Sequence, residues 1–382
     1  MTRLADLPLV RPRQIAQAAI LGLGCAAPRP MAQETTLELL LALNDWTPAQ
    51  RAWITRVYMR SGIERRGVVL AGDDMHDLEL LRRFFAPAKN PTDRGPTTAE
   101  RMALYAEFAP PLAETAAKRA LADAETEAAN ITHLITASCT GFFAPGLDGQ
   151  LIGRLGLSRA VRRLHVGFMG CHAAFNALAA ARDAVLADPK GRVLVCCVEL
   201  CSLHLAYGAW DPGKLVANAL FADGAAAAVV GRPSASGEAR LQLQSTASML
   251  IPDSMDAMTW HIGDHGFEMT LSPGLPEIIR KSLRAWCESW LARHDLTLGD
   301  VTSWAIHPGG PKILDAIEQA LDIAPGAMRA SRNILAGHGN MSSATILFIL
   351  EQLAESSRGP CVAIGLGPGL MAEGMLLEGL SA

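Results

Sequence analysis

Short apolar runs recur along the chain, separated by longer segments with helical periodicity. The runs predict buried strands at Ala18–Leu23, Ile131–Ala137, Arg192–Val198, Ala225–Val230, Trp304–Ile306 and Cys361–Ile364. The segments between them predict helices at Thr98–Phe108, Leu112–Ala122, Ala173–Ala187, Glu277–Leu291 and Lys312–Ala320. We expect Pro110 and Pro111 to separate the first two helices, because proline cannot donate the helical hydrogen bond. Alternating strands and helices predict a layered α/β fold.

The first apolar segment has a second interpretation. Residues Ala16–Cys25 follow the basic residues Arg11 and Arg13, as in a short signal peptide or lipobox. The apolar core is short and no typical cleavage site follows it, so a buried strand at Ala18–Leu23 is favoured. No apolar run reaches the length of a membrane span, so we expect no membrane association.

Composition narrows the class of protein. The chain has 382 residues, of which 50% are hydrophobic and 19% are charged. Such a chain can bury a large core in one domain or in two fused ones. Its net charge of −4 gives no basic bias, which argues against a nucleic-acid partner. The Pro/Ser/Gly segment Pro233–Gly237 is the best candidate linker, and it predicts an N-terminal unit at 1–232 and a C-terminal unit at 238–382.

The eight cysteines do not resemble a disulfide framework. Cys196, Cys197 and Cys201 lie in or beside an apolar strand, and no paired CxxC motif suggests zinc. We therefore expect no metal and a reducing, cytoplasmic location.

Cys171 is the sharpest chemical signal. It follows Gly170 and precedes a helix of small residues that begins near His172. The positive end of a helix and its unpaired N–H groups favour a thiolate, which is the nucleophilic form. From position alone, a buried structural cysteine is the favoured interpretation.

Two polar residues follow in the second half of the chain. His307 ends an apolar run and enters a Pro/Gly turn, where catalytic side chains of α/β proteins often lie. Asn340 lies between glycines and Ser342, where it could cap a helix or donate to an oxyanion. Gly339–Leu347 faintly repeats Gly170–Leu178, since each opens a helix with a polar or reactive residue.

Cysteine, histidine and asparagine together suit thioester chemistry. The cysteine accepts an acyl group, and histidine and asparagine donors hold a thioester carbonyl as it becomes an enolate. The same residue types form the site of papain-like hydrolases, but the local sequence expected around that nucleophile is missing.

Five ordered motifs resemble those of the chalcone synthase-like, or type III, polyketide synthases of bacterial type. They span the nucleophile at Gly170-Cys171, the histidine motif Trp304–Leu314, the asparagine motif Gly339–Leu350, the Phe221 segment Ala219–Ala225 and the glycine-rich loop Gly365–Leu370. The histidine and asparagine motifs distinguish this family from the ketoacyl synthases of fatty-acid synthesis, which share its fold and remain the alternative.

The resemblance implies a thiolase-type, duplicated αβαβα five-layer fold and a homodimer. It implies that Cys171 carries the acyl starter and that His307 and Asn340 promote decarboxylation of malonyl-CoA. Phe221 would gate the tunnel for coenzyme A and shield the reaction from water. Acyl-CoA and malonyl-CoA would be substrates, with no permanently bound cofactor.

Pocket and CoA positions also follow from the resemblance. Met269 falls at a second gatekeeper position, Phe267 lies two residues earlier, and Trp260 replaces a residue that is usually glycine. The other pocket positions fall on Cys139, Thr140, Ala144, Cys201, His204 and Ser342. Compact residues there, Ala144 above all, predict a tunnel for a medium or long aliphatic starter, whereas bulky Trp260 predicts few extensions and an alkylpyrone, resorcinol or phloroglucinol product. The phosphates of CoA would meet Arg56, Arg60, Lys312 and Gly310.

Overall fold

The computed structural model describes residues 18–72, 78–90, 92–208, 210–233, 239–324 and 326–379. Arg11, Arg13 and residues 234–237 of the candidate linker lie outside the described residues. The strands are β1 Ala18–Ala26, β2 Pro30–Ala32, β3 Arg65–Gly67, β4 His133–Ser138, β5 Arg162–Gly167, β6 Arg192–Leu200, β7 Asp223–Gly231, β8 Leu241–Leu250, β9 Met258–Gly263, β10 Gly266–Leu271, β11 Ser303–Ile306, β12 Gly359–Gly367 and β13 Met371–Gly379. The α-helices are α1 Gln33–Ala42, α2 Pro48–Met59, α3 Glu79–Phe84, α4 Thr98–Asp123, α5 Leu147–Leu155, α6 Ala173–Ala187, α7 Pro212–Leu220, α8 Leu275–Leu291, α9 Pro311–Leu321, α10 Arg329–His338 and α11 Thr345–Ala354.

Nine strands form one mixed sheet with an internal repeat. The strand order is β11-β12-β13-β8-β1-β7-β6-β4-β5. In the N-terminal half, from β1 to β7, β4 and β6 are parallel, and β7 pairs antiparallel with both β6 and β1. In the C-terminal half, from β8 to β13, β11 and β12 are parallel, and β13 pairs antiparallel with both β12 and β8. Apart from β5, which has no counterpart in the C-terminal part of this sheet, the two halves have the same strand order and directions. They join where β1 pairs with β8.

Three hydrophobic cores pack the helices on the two halves of the sheet. One core packs α4 and α5 on the N-terminal strands, and another packs α8 and α9 on the C-terminal strands. The middle core contains α6, α11 and residues of strands from both halves. Each half thus contributes one sheet region, an outer helical layer and one central helix. The boundary between units at 233–237 stays a prediction.

Strand β1 lies in the interior of the sheet, between β7 and β8. Its buried run confirms the expected strand and extends it to Ala26. Helix α4 packs directly on its backbone, because a Cβ at Gly22 would lie 2.3 Å from the backbone nitrogen of Ala124. A Cβ at Gly24 would lie equally close, 2.3 Å, to the nitrogen of Ala120. These glycines and alanines thus allow the helix to approach the sheet closely.

The expected break at Pro110 and Pro111 is wrong. Helix α4 runs without interruption from Thr98 to Asp123 and contains both prolines. Its alanines at 109, 113, 116, 117 and 120 are fully buried against the sheet. Burial along a helix of this length offsets the hydrogen bonds that two prolines remove, so tertiary packing overrides the local signal.

Candidate active site

The turn that carries Cys171 is locked against the glycine-rich loop after β12. Gly170 has φ 78°, a left-handed conformation that favours glycine, and the turn continues as a 3-10 helix into α6. A Cβ on Gly170 would lie 2.4 Å from Cδ of Pro368, and one on Gly367 would lie 2.2 Å from the His172 ring. Because Gly170 and Gly367 have no side chains, the turn that carries Cys171 can pack closely against this loop.

The Cys171 thiol is buried beside polar side chains of the C-terminal half. Burial raises its pKa to about 12, and hydrogen bonds from Ser342 and Asn340 act in the opposite direction. The buried Glu199 carboxylate also raises the pKa of this thiol. The resting cysteine is therefore protonated, and the thiolate needs a base and nearby donors when it forms.

Asn340 is joined to the Phe221 segment through the backbone. Its N–H donates to the Leu220 carbonyl at 2.9 Å, and its carbonyl accepts from the Ala222 N–H at 2.9 Å. The side-chain oxygen accepts from the Ser342 N–H at 2.9 Å, which leaves the amide NH₂ to face the site. Asn340 thus holds the backbone two residues on rather than capping the helix, because Met341 and Ala344 are the cap residues of the following 3-10 turn and of α11. Its amide still offers a donor, and its role toward an oxyanion stays a prediction.

His307 follows β11, and its N–H donates to the Ile364 carbonyl of β12 at 2.9 Å. The ring is buried, and neither ring nitrogen has a hydrogen-bond partner among the described residues. Burial lowers the pKa of His307 to about 3, and the neighbouring His172 lowers it further. A neutral imidazole with unused nitrogens can accept a proton from a thiol or donate to a carbonyl oxygen.

A second histidine, His172, is tied to a polar chain that crosses between the halves. Its Nδ1 lies 2.9 Å from Oδ1 of Asn176, and the Asn176 amide donates to Glu373 at 3.2 Å. Glu373 also accepts from the Ser248 hydroxyl. These contacts connect the first turns of α6 to β13 and β8.

Glu199 is a functional neighbour that sequence reasoning missed. Its carboxylate is fully buried and accepts from the Thr140 hydroxyl at 2.6 Å, the Cys139 N–H at 3.1 Å and the Ser343 hydroxyl. Burial raises the pKa of Glu199, and these donors lower it. The available signal was a charged residue inside the apolar run that ends at Leu200.

Arg66 is a second residue that sequence reasoning missed. Its Nη1 donates to the carbonyls of Asn218 at 2.6 Å and Phe221 at 2.7 Å, and its Nη2 donates to the Thr36 hydroxyl at 3.1 Å. The buried guanidinium therefore holds the backbone of Phe221 in place. Nothing in the local sequence distinguishes Arg66 from its neighbour Arg65.

Arg66 and Phe221 line a largely apolar cavity of about 270 Å³, whereas Cys171, His307 and Asn340 are not among its lining residues. Phe221 and Cys201 form part of its wall, and α1, α3 and the segment after α3 form another part. The apolar lining from this second region comprises Leu39, Leu40, Leu43, Leu81 and Phe85. The hairpin β9–β10 of the C-terminal half contributes Trp260, Phe267 and Met269, so three pocket positions inferred from the sequence meet at one wall.

Hydrogen bonds fasten this hairpin to the N-terminal half. The Trp260 indole donates to the Cys139 carbonyl at 2.8 Å. His204 accepts from the Phe267 N–H at Nδ1, at 2.9 Å, so its Nε2 carries the proton that is donated to the Thr140 carbonyl. Burial lowers the pKa of His204 to about 3, and its ring stacks on Phe267 at 4.2 Å between centroids. His204 is therefore a neutral, fully engaged wall residue.

Other residues inferred from the sequence lie around this centre. Cys139 and Ser342 are buried next to Cys171, and Thr140 is committed to Glu199. Ala144 is exposed and does not line the cavity.

The inferred CoA residues lie at two neighbouring chain segments. Arg56 and Arg60 are exposed on and just after α2, and Lys312 is exposed at the start of α9. A Cβ on Gly62 would lie 3.1 Å from Pro311, which places the end of α2 beside the start of α9. Gly310, with φ 129°, precedes α9 in a conformation that favours glycine.

The described residues contain neither a metal-binding cluster nor a membrane-spanning helix. No group of three or more His, Cys, Asp or Glu side chains there could hold a metal ion. No helix in the same part of the chain is long and apolar enough to cross a membrane.

Comparison with known proteins identifies the family. The model for the N-terminal domain of chalcone and stilbene synthases matches residues 10–234, and the C-terminal domain model matches residues 242–381. The chain belongs to the chalcone and stilbene synthase family. It is similar to the alpha-pyrone synthesis polyketide synthase-like Pks18 of Mycobacterium tuberculosis, at 36% identity over 98% of this chain and 94% of that protein. It is also similar to 1,3,6,8-tetrahydroxynaphthalene synthase of Streptomyces peucetius, at 34% identity over 92% of this chain and 90% of that protein.

Solved structures of polyketide synthases agree with the fold. The crystal structure of PKS-I from the brown alga Ectocarpus siliculosus matches with a TM-score of 0.86 at 29% identity, over 97% of this chain and 100% of that chain. The expectation of a thiolase-type, duplicated five-layer α/β fold is confirmed. The chain is a type III polyketide synthase, an acyl-transferring enzyme whose family uses CoA thioesters as substrates.

Proposed function

We propose that this enzyme loads a medium- or long-chain aliphatic acyl-CoA on Cys171 and extends it with malonyl-CoA. The observation that carries the starter proposal is the cavity beside Phe221 and Cys201, whose far wall is formed by aliphatic and aromatic side chains of α1 and α3. Each methylene buried there would contribute about 0.8 kcal/mol to binding. Affinity for the starter should therefore rise with chain length until the cavity is full.

We propose three catalytic roles for these buried residues. His307 accepts the proton of Cys171, the thiolate attacks the thioester carbon, and the C–S bond to coenzyme A breaks. The proton on His307 then passes to the leaving CoA thiolate. For extension, neutral His307 and the amide of Asn340 donate to the carbonyl oxygen of malonyl-CoA as loss of CO₂ turns it into an enolate. Both residues are buried, which strengthens such donors.

Product size is expected to be limited by the hairpin β9–β10. Trp260 closes over the site through its hydrogen bond to the Cys139 carbonyl. Its bulk leaves room for few extensions, which favours an alkylpyrone, resorcinol or phloroglucinol product. The name of the relative Pks18, at 36% identity, refers to alpha-pyrone synthesis and supports the pyrone among these.

We further propose that coenzyme A enters between α2 and α9. Arg56, Arg60 and Lys312 are exposed at this junction, and arginine forks suit phosphate groups. Gly310 lets the chain turn sharply beside Leu220, next to the Phe221 gate. Phe221 would then separate the CoA channel from the condensation site.

The enzyme is proposed to act as a homodimer. Within the described residues, β5 pairs only with β4 and forms the end of the sheet, with most of its residues exposed. Phe142, Leu164, Phe168 and Met169 are exposed nearby. A second copy on this face would cover apolar surface and an unpaired strand edge together. Sedimentation should show about 81 kDa, twice the mass of one 40.6 kDa chain; a purely monomeric species at micromolar concentration would contradict the dimer.

A chain-length series tests the starter. Acyl-CoAs from acetyl to palmitoyl are each supplied with malonyl-CoA, and products are identified by mass spectrometry. Ala217→Phe places a larger side chain in the wall, narrows the cavity and should shift the starter preference to shorter acyl chains. Ala144→Met enlarges a residue outside the cavity and should leave the preference unchanged; a shift caused by Ala144→Met alone would instead support the tunnel inferred from the sequence. A parent enzyme that prefers acetyl, malonyl or aromatic starters would refute the aliphatic proposal.

A further inference from the structure

Ser342 lies where two thiols and Asn340 meet. Its Oγ lies 3.0 Å from Sγ of Cys139, and its hydroxyl is near enough to the Cys171 thiol to lower the pKa of that thiol. Its backbone N–H donates to Oδ1 of Asn340 at 2.9 Å. The side chain is 1% exposed, so these contacts replace water as its partners. One residue thus lies beside the nucleophile and contacts the donor proposed to act with it.

The backbone of Ser342 adopts an unusual conformation. Its φ is 46°, in the left-handed region that side chains other than glycine rarely adopt. It begins the 3-10 turn Ser342–Ala344, which packs against the turn Gly170–His172. This conformation places the hydroxyl against Cys139, on a turn that packs against the Cys171 turn, while the N–H reaches Asn340. Backbone strain of this kind concentrates at functional sites.

We propose that Ser342 is a catalytic residue that donates its hydroxyl proton in a hydrogen bond to the Cys171 thiolate. Cys139 supports it by donating its S–H to the Ser342 oxygen. The inference rests on the proposed role of Cys171 as the nucleophile. Ser342 would then act in every step that forms or releases the thiolate, in addition to being a pocket residue.

The direction of the hydrogen bonds follows from the proton inventory. A thiolate can only accept, and a serine hydroxyl has one proton to donate and lone pairs to accept with. When His307 takes the proton of Cys171, the Ser342 O–H is therefore the donor to Sγ. The thiol of Cys139 keeps its proton, because burial raises its pKa well above the usual value, and it can donate to Ser342. A donor to an ionised partner makes a stronger hydrogen bond than one between neutral groups.

Ser342 also sets the second donor to the thiolate. Its N–H occupies the side-chain oxygen of Asn340, so the NH₂ of that amide faces the sulfur. A buried thiolate without donors would bear a large desolvation cost. Side-chain removal at Ser342 leaves the backbone N–H and Asn340 in place, so it isolates the hydroxyl.

Alkylation of Cys171 by iodoacetamide measures the thiolate without any CoA substrate. Rates are followed from pH 7 to pH 10 by mass spectrometry of the Cys171 peptide. Ser342→Ala should slow alkylation at pH 7.5 about tenfold or more, as expected for loss of a hydrogen bond to a charged group. Its pH–rate curve should also move to higher pH. Ser342→Gly relieves the backbone strain and lacks the hydroxyl, so it should be as slow as Ser342→Ala.

The matched control is Ser343→Ala, whose hydroxyl is buried one residue away and donates to Glu199 instead. It should alkylate within about twofold of the parent. Cys139→Ala should give a smaller loss than Ser342→Ala, and Cys139→Ser should restore the rate because its hydroxyl also donates.

Three results would overturn the proposal. Parent-like alkylation in Ser342→Ala would show that the hydroxyl does not act on the thiolate, and so would a glycine variant that regains the parent rate. An equal loss in Ser343→Ala would show a general packing defect. Because no starter is used, a failed chain-length series leaves this result standing. If Cys171 of the parent did not react, the nucleophile proposal would fail as well.

Discussion

The chain enters α6 and α11 through similar backbone turns. Each follows a glycine with positive φ, 78° at Gly170 and 73° at Gly339, and each passes through a 3-10 turn before the α-helix. The first turn presents Cys171, and the second presents Asn340 and Ser342. The middle core holds both helices, so the duplicated fold brings the two turns face to face. Duplication thus supplies a nucleophile from one half and its donors from the other.

The halves differ most in how they use polar groups below these turns. By sheet register, Leu200 pairs with Asp223, and Gly365 pairs with Glu373. With Asp223 and Glu373 matched as equivalent positions, Leu200 corresponds to Gly365. Glu199 and Ile364, each one residue earlier, then correspond to each other. The N-terminal half buries a carboxylate where the C-terminal half buries an aliphatic side chain. The buried carboxylate at this position therefore lies in the half that carries the nucleophile.

The largest effects should come from removing each turn's own group. Cys171→Ala should abolish acyl loading and polyketide formation, because the thioester bond has no other site. Malonyl-CoA decarboxylation by this variant should survive, since His307 and Asn340 remain. Release of CO₂ and the acylated mass of the protein are the two measurements. Polyketide formation at the normal rate by Cys171→Ala would refute the mechanism.

Asn340→Ala removes a donor from the opposite turn and should show the reverse pattern. Decarboxylation should fall about a hundredfold or more, the usual cost of losing one oxyanion donor. Acyl loading on Cys171 should be less affected. Equal loss of decarboxylation in Cys171→Ala and Asn340→Ala would mean that the two turns do not divide their roles.

Glu199→Ala should destabilise the fold by about 3 kcal/mol. It leaves the Thr140 and Ser343 hydroxyls and the Cys139 N–H buried without their acceptor, and unsatisfied buried donors are costly. Glu199→Gln keeps part of the hydrogen bonding and should cost less. Urea unfolding measures both. If Glu199→Ala were as stable as the parent, the buried carboxylate and its hydrogen bonds would contribute nothing to the free energy of unfolding.

Asp223 should make stability depend on pH in a definite direction. Burial raises its pKa to about 6 from the ordinary 3.8, against hydrogen bonds from Ser202 and Val69. A raised carboxyl pKa means that the folded state holds the proton more tightly. The stabilisation is complete below about pH 4 and is lost as pH rises through about 6.

The loss amounts to about 3 kcal/mol, since each pKa unit corresponds to about 1.4 kcal/mol. Asp223→Asn cannot titrate and serves as the reference. The difference in free energy of unfolding, parent minus variant, should therefore fall between pH 4 and pH 7. A difference that stays constant or rises over this range would contradict the raised pKa.

How far the sequence predicts this molecule depends on whether a signal is local. The six predicted strands are confirmed because each is an apolar run buried on both faces, as in β6 and β7. Strand β5 gave no signal, since Arg162–Gly167 is largely exposed and charged at the sheet end. The roles of Arg66 and Glu199 depend on partners more than 50 residues away, such as Phe221 and Thr140. The motifs located the three proposed catalytic residues, and the fold was needed to show which of the other polar residues they touch.

The smallest expected effect compares one cation from each half at the proposed CoA entrance. Arg60 follows α2 in the N-terminal half, and Lys312 begins α9 in the C-terminal half. Both are exposed, so a phosphate contact at either one is screened by water and salt. Arg60→Ala should raise KM for malonyl-CoA about threefold to tenfold with little change in kcat, because the lost contact is the same in ground and transition states.

Lys312→Ala should raise KM less, because a lysine is a point charge without the fork that holds two phosphate oxygens. Arg51→Ala, on the same helix as Arg56, is the control for general loss of positive charge. Both effects should shrink as salt is raised, since screening weakens exposed pairs. An unchanged KM in Arg60→Ala would remove this residue from the CoA site. A larger rise in KM for Lys312→Ala than for Arg60→Ala would mean that the C-terminal half contributes more to CoA binding. That order is the opposite of the one proposed.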